Sequence, residues 1–397
     1  MAQVFWHRRS RSYSSLLGRR IRLTTATMAT EKRSNPSDNG SEKKRLKSGG
    51  EWPNVQPWVS DALVNTLDEK SGIKNIERFL FKAQDILDDP RGIVAQNVAN
   101  VVKKEGIALV SGALSAEQIQ GFKQVFPELI KEIRKHDPND EGSRGEKRHS
   151  FGGMSTTNSQ LHRPEFRELL DLKAITKVLE KYWDSKDFCV HAAGGDLNMA
   201  GSRQHQRLHS DISESKFLGM ATEVGSGIAS PMIAVNFLIE TQTPFNGPLQ
   251  HIPGTQLMDG SYLPSVHQEP EHWFYSTMTP GEPGTAVIRD VRCWHAGTPN
   301  LTVNDRPLPN CEYLSPQVAM NDDLRKKVLV KRNRDGSKQM TYEIWNSLSR
   351  DAKHLTRFIH AEEGEKLEPG IFYEKLEADS QACVTCPLFA GMITKEQ

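Results

Sequence analysis

Apolar residues are sparse from Glu31 to Gly50, where the chain is polar and charged and reads as a linker that cannot bury enough surface to fold alone. Tryptophans and prolines first appear together between Trp52 and Trp58, where folded structure is expected to begin. Ile76, Phe79, Leu80, Ala83, Ile86 and Leu87 then recur at helical spacing, predicting a helix from Asn75 to Leu87 and a second from Val94 to Lys104. Gly106 to Gly112 reads as a strand ending in glycine. Ser115, with acidic Glu117 in the first turn, opens a helix through Phe122, Val125 and Leu129 towards Lys135. Residues Asp137 to Gln160 show no period and read as a long loop, whose segment Lys147 to Phe151 reads at least as readily as a solvated excursion as it does as a cover for a site. A helix over Pro164 to Lys181 and strands over Asp187 to Ala193 and Asp196 to Met199 follow.

The second half reads mainly as strand and turn. Pro231 to Glu240 is an apolar strand, Asn246 to Gly254 is a turn, a short strand and a turn, and Gly284 onward is a further strand leading through a turn to His295. Between Ile212 and Ser230, Gly219, Gly225 and Gly227 mark a loop on the substrate side. Cys311 to Pro316 closes the series, Lys326 to Lys338 is a charged hairpin or loop, and Ile344, Leu348, Ala352, Leu355 and Phe358 predict one amphipathic helix over Thr341 to His360.

Composition adds an asymmetry. The chain has 51 basic and 50 acidic residues, but positions 1–50 hold 12 of the basic and 3 of the acidic ones, leaving 39 and 47 for the body. A mildly acidic body makes nucleic acid an improbable main ligand. Arg8, Arg9, Arg11, Arg19, Arg20 and Arg22 among serines, with no acid, have the composition of an organellar transit peptide. Mitochondrial or other organellar placement is expected if that segment is used, and cytoplasmic placement if the chain starts at Met28. Secretion is not expected, and Lys43 to Lys47 reads as solvated tail. Five cysteines in so long a chain indicate no disulfide framework, and Cys383-Val-Thr-Cys386 reads as incidental thiols. No stretch of 18 apolar residues predicts a membrane span.

The chemistry is concentrated at His209-Ser210-Asp211, where two metal-capable side chains spaced by two project from one face of a strand. His295 is the distant partner. Two imidazoles and one carboxylate on one face of an iron(II) ion leave three positions open, which suits a non-haem oxygenase using 2-oxoglutarate and O2. The distal carboxylate of such a keto acid needs a planar, permanently charged donor, and Arg306 is the candidate. Thr298 is a second candidate donor to that carboxylate. Asn198 and Gln206 are candidates to face the cavity, and each is equally readable as a polar residue satisfied within the sheet. His205, His251, His267 and His272 compete for the metal, but their placement on a strand, beside a turn or in a polar loop disfavours them.

The pair His209 and Asp211, the turns at Asn246-Gly-Pro-Leu and Ile252-Pro-Gly-Thr255, the strand running to His295, and Arg306 together resemble the phytanoyl-CoA dioxygenase family of iron(II)/2-oxoglutarate oxygenases, over roughly Glu105 to Ile359. The resemblance implies a fold that is mainly β with α elaboration, a double-stranded β-helix (jelly-roll, cupin-like) core flanked by helices. It also implies Fe(II) held by His209, Asp211 and His295, 2-oxoglutarate and O2 as cosubstrates, and ascorbate as a candidate reductant. Asn236 stands where relatives carry a residue facing the cosubstrate. Because the carboxylate position is filled by Asp211, hydroxylation, desaturation or ring closure of a small organic substrate is expected, and halogenation is not. Gln256 replaces a histidine common in the family, and the loops are longer, which bears on substrate identity.

The expected organisation is a basic N-terminus over 1–50, a helical segment over 51–104, the oxygenase domain over 105–360 and a tail over 361–397. Two readings stay open beside the leading one: a jelly-roll protein that binds a metal or keto acid without turnover, and an oxygenase acting on a protein or nucleic acid. Oligomeric state and substrate identity are not legible.

Overall fold

The computed structural model describes residues 54–152, 159–212, 229–258, 269–270, 272–329, 338–367 and 383–385, all within a compact unit spanning 52–397. Helices α1 (Asp61–Lys70), α2 (Ala83–Asp88), α3 (Ile93–Glu105), α4 (Ala116–His136), α5 (Pro164–Arg167) and α6 (Lys173–Trp183) come mostly before the strands that carry the site. The strands are β1 (Leu80–Lys82), β2 (Ile107–Ser111), β3 (Arg148–Gly152), β4 (Cys189–Asn198), β5 (Gln204–Gln206), β6 (Met232–Phe237), β7 (Leu249–His251), β8 (Ala286–Asp290), β9 (His295–Gly297), β10 (Arg306–Leu314) and β11 (Cys383–Thr385). Seven of them form one sheet in the order β1-β2-β8-β6-β10-β4-β3. Only the edge pair β1-β2 is parallel. The short pairs β7-β9 and β5-β11 form the facing layer of the jelly roll.

Alternation along each strand separates two kinds of wall. Ala108, Phe151, Ala193, Leu197, Val235, Phe237, Ile288, Cys311 and Tyr313 join the main core with α3, α4 and α6. In that core Phe122, Phe126, Phe151 and Phe166 meet largely edge to face, with centroids 5.2 Å apart for Phe122 and Phe166. The opposite wall carries Ile107, Leu109, Val287 and Leu308, which pack with Leu249. In the same alternation it also carries Arg148, Asn198, Asn236, Arg289, Arg306 and Glu312. A row of charged and amide groups on a largely buried wall is expensive unless each is paired or hydrogen-bonded.

Local chemistry explains several boundaries. Ser115 and Gln118 form a reciprocal capping box on α4, so this helix starts where its sequence indicates. Gly106 ends α3 at φ +79, and a Cβ there would lie 2.8 Å from the Cβ of Cys293, so glycine is required both by conformation and by space.

Other expectations are corrected. The helix expected over 75–87 is a 3-10 turn at Ile76–Phe79, the edge strand β1 and α2. Its apolar spacing does not describe one buried face, since Leu80 and Leu87 are 47% and 41% exposed. The helix over 164–181 is broken into α5 and α6, and the two strands over 187–199 are a single β4, opposite which the register shifts between Glu312 and Tyr313. Thr341–His360 is two short helices, Tyr342–Ser347 and Arg350–Leu355, because Thr341 and Ser349 each cap a fresh start. The loop expected over 137–160 contains β3. Most of the 212–230 and 326–338 segments lie outside the described residues. No helix among the described residues is long and apolar enough to cross a membrane.

Candidate metal and keto-acid site

His209 is not in a regular strand. It forms one antiparallel bridge with His295, each backbone N–H donating to the other's carbonyl at 3.0 and 2.9 Å. Two residues on, the Asp211 N–H donates to the Val291 carbonyl at 3.0 Å. Both chain segments are therefore tied to the turn after β8. That turn is itself fixed by Asp290, whose carboxylate accepts from the Arg292 backbone and guanidinium at 3.0 and 2.6 Å and from the Tyr182 hydroxyl at 3.2 Å.

The three side chains converge. Asp211 Oδ1 lies 3.7 Å from His209 Nε2 and 3.4 Å from His295 Nε2, and the three donor atoms lie within 4.8 Å of one another. Ligands about 2.1 Å from one ion on a single octahedral face sit roughly 3 Å apart, so small side-chain movements suffice to close on a metal. Each imidazole has its tautomer set by the backbone: His209 Nδ1 donates to the Arg207 carbonyl at 2.8 Å and His295 Nδ1 to the Cys293 carbonyl at 2.9 Å. Both Nε2 lone pairs are left for a cation. Burial and the neighbouring His295 push the His209 imidazole down to about 3, so it is neutral and able to ligate.

Asp211 is the open edge of the group, its side chain 25% exposed. Its other oxygen, Oδ2, accepts from Arg289 Nη1 at 2.6 Å. Burial opposes ionisation of Asp211, but the Arg289 guanidinium and the two imidazoles outweigh it and hold the carboxyl well below its usual range. Arg289 is absent from the sequence-based candidates. Its one mark in the sequence is a charge in phase with Val287 on β8, which by itself reads as an arginine facing solvent.

At the other end, Arg306 begins β10 opposite Asn198 on β4, and Asn198 in turn faces Arg148 on β3. One level of the sheet thus carries Arg148, Asn198 and Arg306 in a row. Arg306 Nη2 donates to the Gly247 carbonyl at 2.5 Å, while its Nε and Nη1 are buried and have no partner among the described residues. Burial, and then Arg148, bring the Arg306 guanidinium down to about 10. Arg148 donates to the carbonyls of Thr298 and Gln204. Arg144, Arg148, Asn198, Gln206, Gly297 and Arg306 line a common cavity that reaches from two residues past His295 to the arginine pair. The two buried Arg306 donors without acceptors among the described residues have the chemistry to bind a carboxylate.

The remaining candidates divide. Asn198 lines this cavity, donating from Nδ2 to the Thr298 carbonyl at 2.9 Å and keeping a buried, unpartnered Oδ1. Gln206 also lines it, its Oε1 accepting from the Gly297 N–H at 3.1 Å. Asn236 lies on the same wall of β6 with an unpartnered Oδ1, but not among the residues lining the arginine cavity. Thr298 is buried outside the residues lining this cavity, and its hydroxyl donates to the Pro248 carbonyl at 2.6 Å. Arg148, expected on a covering loop, instead enters the cavity from an edge strand.

The competing histidines have other work. His205 is buried and donates to Gln250 Oε1 at 2.7 Å, and His251, at the end of β7, pairs with Thr279 Oγ1 at 2.7 Å and stacks 6.2 Å from His295. His272 precedes the short helix Trp273–Ser276, and His267 lies outside the described residues. Gln256, where the family often has histidine, donates to the Lys103 carbonyl at 2.9 Å and anchors the end of α3. Cys189, Cys293 and Cys311 are buried free thiols.

Residues 102–308 match the sequence profile of the phytanoyl-CoA dioxygenase family. No curated protein matches the chain significantly in sequence. Among solved structures, AviO1 from Streptomyces viridochromogenes Tue57 is similar at 19% identity and a TM-score of 0.39, covering 55% of this chain and 93% of that one. EctD from S. alaskensis with 2-oxoglutarate and 5-hydroxyectoine is similar at 17% identity and a TM-score of 0.40, covering 55% and 74%. The epimerase SnoN in complex with Fe3+, alpha ketoglutarate and nogalamycin RO aligns at 15% identity and a TM-score of 0.40, covering 57% and 85%.

Proposed function

The chain belongs to the phytanoyl-CoA dioxygenase family of iron(II)/2-oxoglutarate-dependent oxygenases, and on that premise we propose that His209, Asp211 and His295 hold the iron while Arg306, joined by Arg148, grips the distal carboxylate of 2-oxoglutarate. The observation carrying this reading is the convergence of two imidazoles with backbone-fixed tautomers on one oxygen of Asp211, together with a cavity reached by the buried Arg306, whose Nε and Nη1 have no acceptor among the described residues. Iron held there would supply the reduction of O2 that is coupled to decarboxylation of the keto acid to succinate and CO2 and to two-electron oxidation of an organic substrate.

The protein's own part is geometric and electrostatic. Neutral imidazoles and an ionised carboxylate present three donors on one face and leave the opposite face open. Arg306 and Arg148 act as a fixed positive end stop, so a five-carbon diacid reaching them has its keto end directed at the histidines. Asn198 Oδ1 and the amide of Gln206 border its path. The apolar wall of Leu249, Val287 and Leu308 keeps water away from that path and strengthens the charge pairing inside it. The proposed substrate is a small organic molecule that is hydroxylated, desaturated or cyclised.

Purified protein should release succinate from 2-oxoglutarate only with iron(II) present, and His209→Ala should abolish this. Unchanged succinate release by His209→Ala would remove His209 from the centre.

A further inference from the structure

Arg289 is the charged side chain that β8 turns towards the site, and its place there is unusually well prepared. It sits in a cross-strand row with Ile107 on β2, Ala234 on β6 and Glu312 on β10. Ala234, the smallest of the four, separates the two charged members. Arg289 and Glu312 can therefore face one another across a methyl group, while Glu312 also binds His191 Nδ1 at 3.1 Å. The guanidinium is buried, with Arg289 only 6% exposed. Its Nη1 lies 3.2 Å from His295 Nδ1, but that nitrogen already gives its proton to the Cys293 carbonyl, so the productive bond is the one to Asp211.

The two oxygens of Asp211 have separate tasks. Oδ1 faces both Nε2 atoms, at 3.4 and 3.7 Å, whereas Oδ2 is held by Arg289 at 2.6 Å. A carboxylate can bind a cation through one oxygen or two. With two, the protein would occupy four of six positions and leave too few for a chelating keto acid and O2 together.

We infer that Arg289 is a positioning residue that restricts Asp211 to one metal bond by retaining Oδ2, and so sets the number of open coordination positions at three. The inference rests on the iron-site reading above, and the two can fail separately. Ile107 and Ala234 offer Oδ2 no other hydrogen-bond donor from this row. Asp211 without Arg289 is free to swing its second oxygen onto the ion.

The test counts water. Mn(II) is titrated into the wild-type protein and into Arg289→Met, folding is checked by circular dichroism, and water-proton relaxation gives the exchangeable waters on bound Mn(II). The expected result is three on the wild type and two on Arg289→Met. Affinity of the Mn(II) form for 2-oxoglutarate should fall about tenfold or more, the size typical of losing a partner around a metal ligand. Arg289→Gln, polar but neutral and shorter, should behave the same way and replaces the first variant if Arg289→Met does not fold. Three waters and unchanged 2-oxoglutarate affinity in a folded variant overturn the inference, as does a folded variant that binds no Mn(II). Failure of the wild type itself to bind Mn(II) or Fe(II) overturns the iron-site reading instead.

Discussion

Replacing Arg306 with methionine should weaken 2-oxoglutarate binding severely without harming the fold. Arg306 is 4% exposed, and its guanidinium is brought down to about 10 from an ordinary value of 12.5 by burial and by Arg148. Folding lowers the pKa of a base here, so the charged form is the disfavoured one and the penalty is present in full at every pH below about 10. At 1.36 kcal/mol per unit this comes to about 3 kcal/mol against the ligand-free fold at neutral pH. Methionine removes that cost but also removes the charged hydrogen bond to the Gly247 carbonyl, worth about 1.5–3 kcal/mol. Ligand-free Arg306→Met should thus melt at or slightly above the wild type. Binding behaves oppositely: truncating one partner of a buried charge pair costs about 2–5 kcal/mol, or roughly 30- to 4000-fold in affinity. The assay is thermal unfolding with and without 2-oxoglutarate in the presence of Mn(II). At a concentration a hundred times the wild-type Kd, the wild type gains about 2.7 kcal/mol, and Arg306→Met should gain less than about 1 kcal/mol. A variant that keeps the ligand-dependent rise, or that melts far below the wild type without ligand, refutes the assignment of Arg306.

Gly297→Ala places a Cβ 2.2 Å from Arg148 Nη1, displacing that guanidinium from the cavity; steady-state kinetics should show a KM for 2-oxoglutarate raised about tenfold, the loss of roughly one charged hydrogen bond. Asp211→Ala leaves Arg289 buried without its carboxylate, so the metal-free variant should lose about 3 kcal/mol in urea unfolding, and adding Arg289→Met should restore much of it. Burial lowers His205 to about 4, so the unfolded chain takes up a proton below about pH 6.5 that the folded chain refuses. Stability of the metal-free protein should therefore fall as pH drops from 6.5 towards 4, by about 1.4 kcal/mol per unit for this histidine, and His205→Gln should flatten the decline.

The candidate metal ligands, which the structure brings within 4.8 Å of one another, stood out because their chemistry restricts the residue types: few pairs of His and Asp at a spacing of two precede a strand, a turn and another histidine. Arg306 was legible for the same reason, standing just past the loop after His295. Arg289 was not, because an arginine on a strand ordinarily points to solvent, and only the register with Ala234 and Ile107 reveals that it points at Asp211. Arg148 was hidden by the polar, glycine-containing surroundings of a short edge strand, where Arg148 and Ser150 alternate with His149 and Phe151 over too few residues to stand out. Asn75 to Leu87 misled because a 3-10 turn, a three-residue strand and a short helix together mimic one helical period. In Thr341 to His360 the period was real, but Ser349 caps a second helix in the middle of it.

The reciprocal backbone bond between His209 and His295 joins the two imidazole-bearing segments through peptide groups, without any ligand side chain. Proteins whose ligands gather only when metal arrives draw their folding energy from it and come apart when it is withdrawn. Here the two imidazole-bearing segments are stitched together by peptide groups, so on the proposed reading a chelator should strip the ion without unfolding the chain.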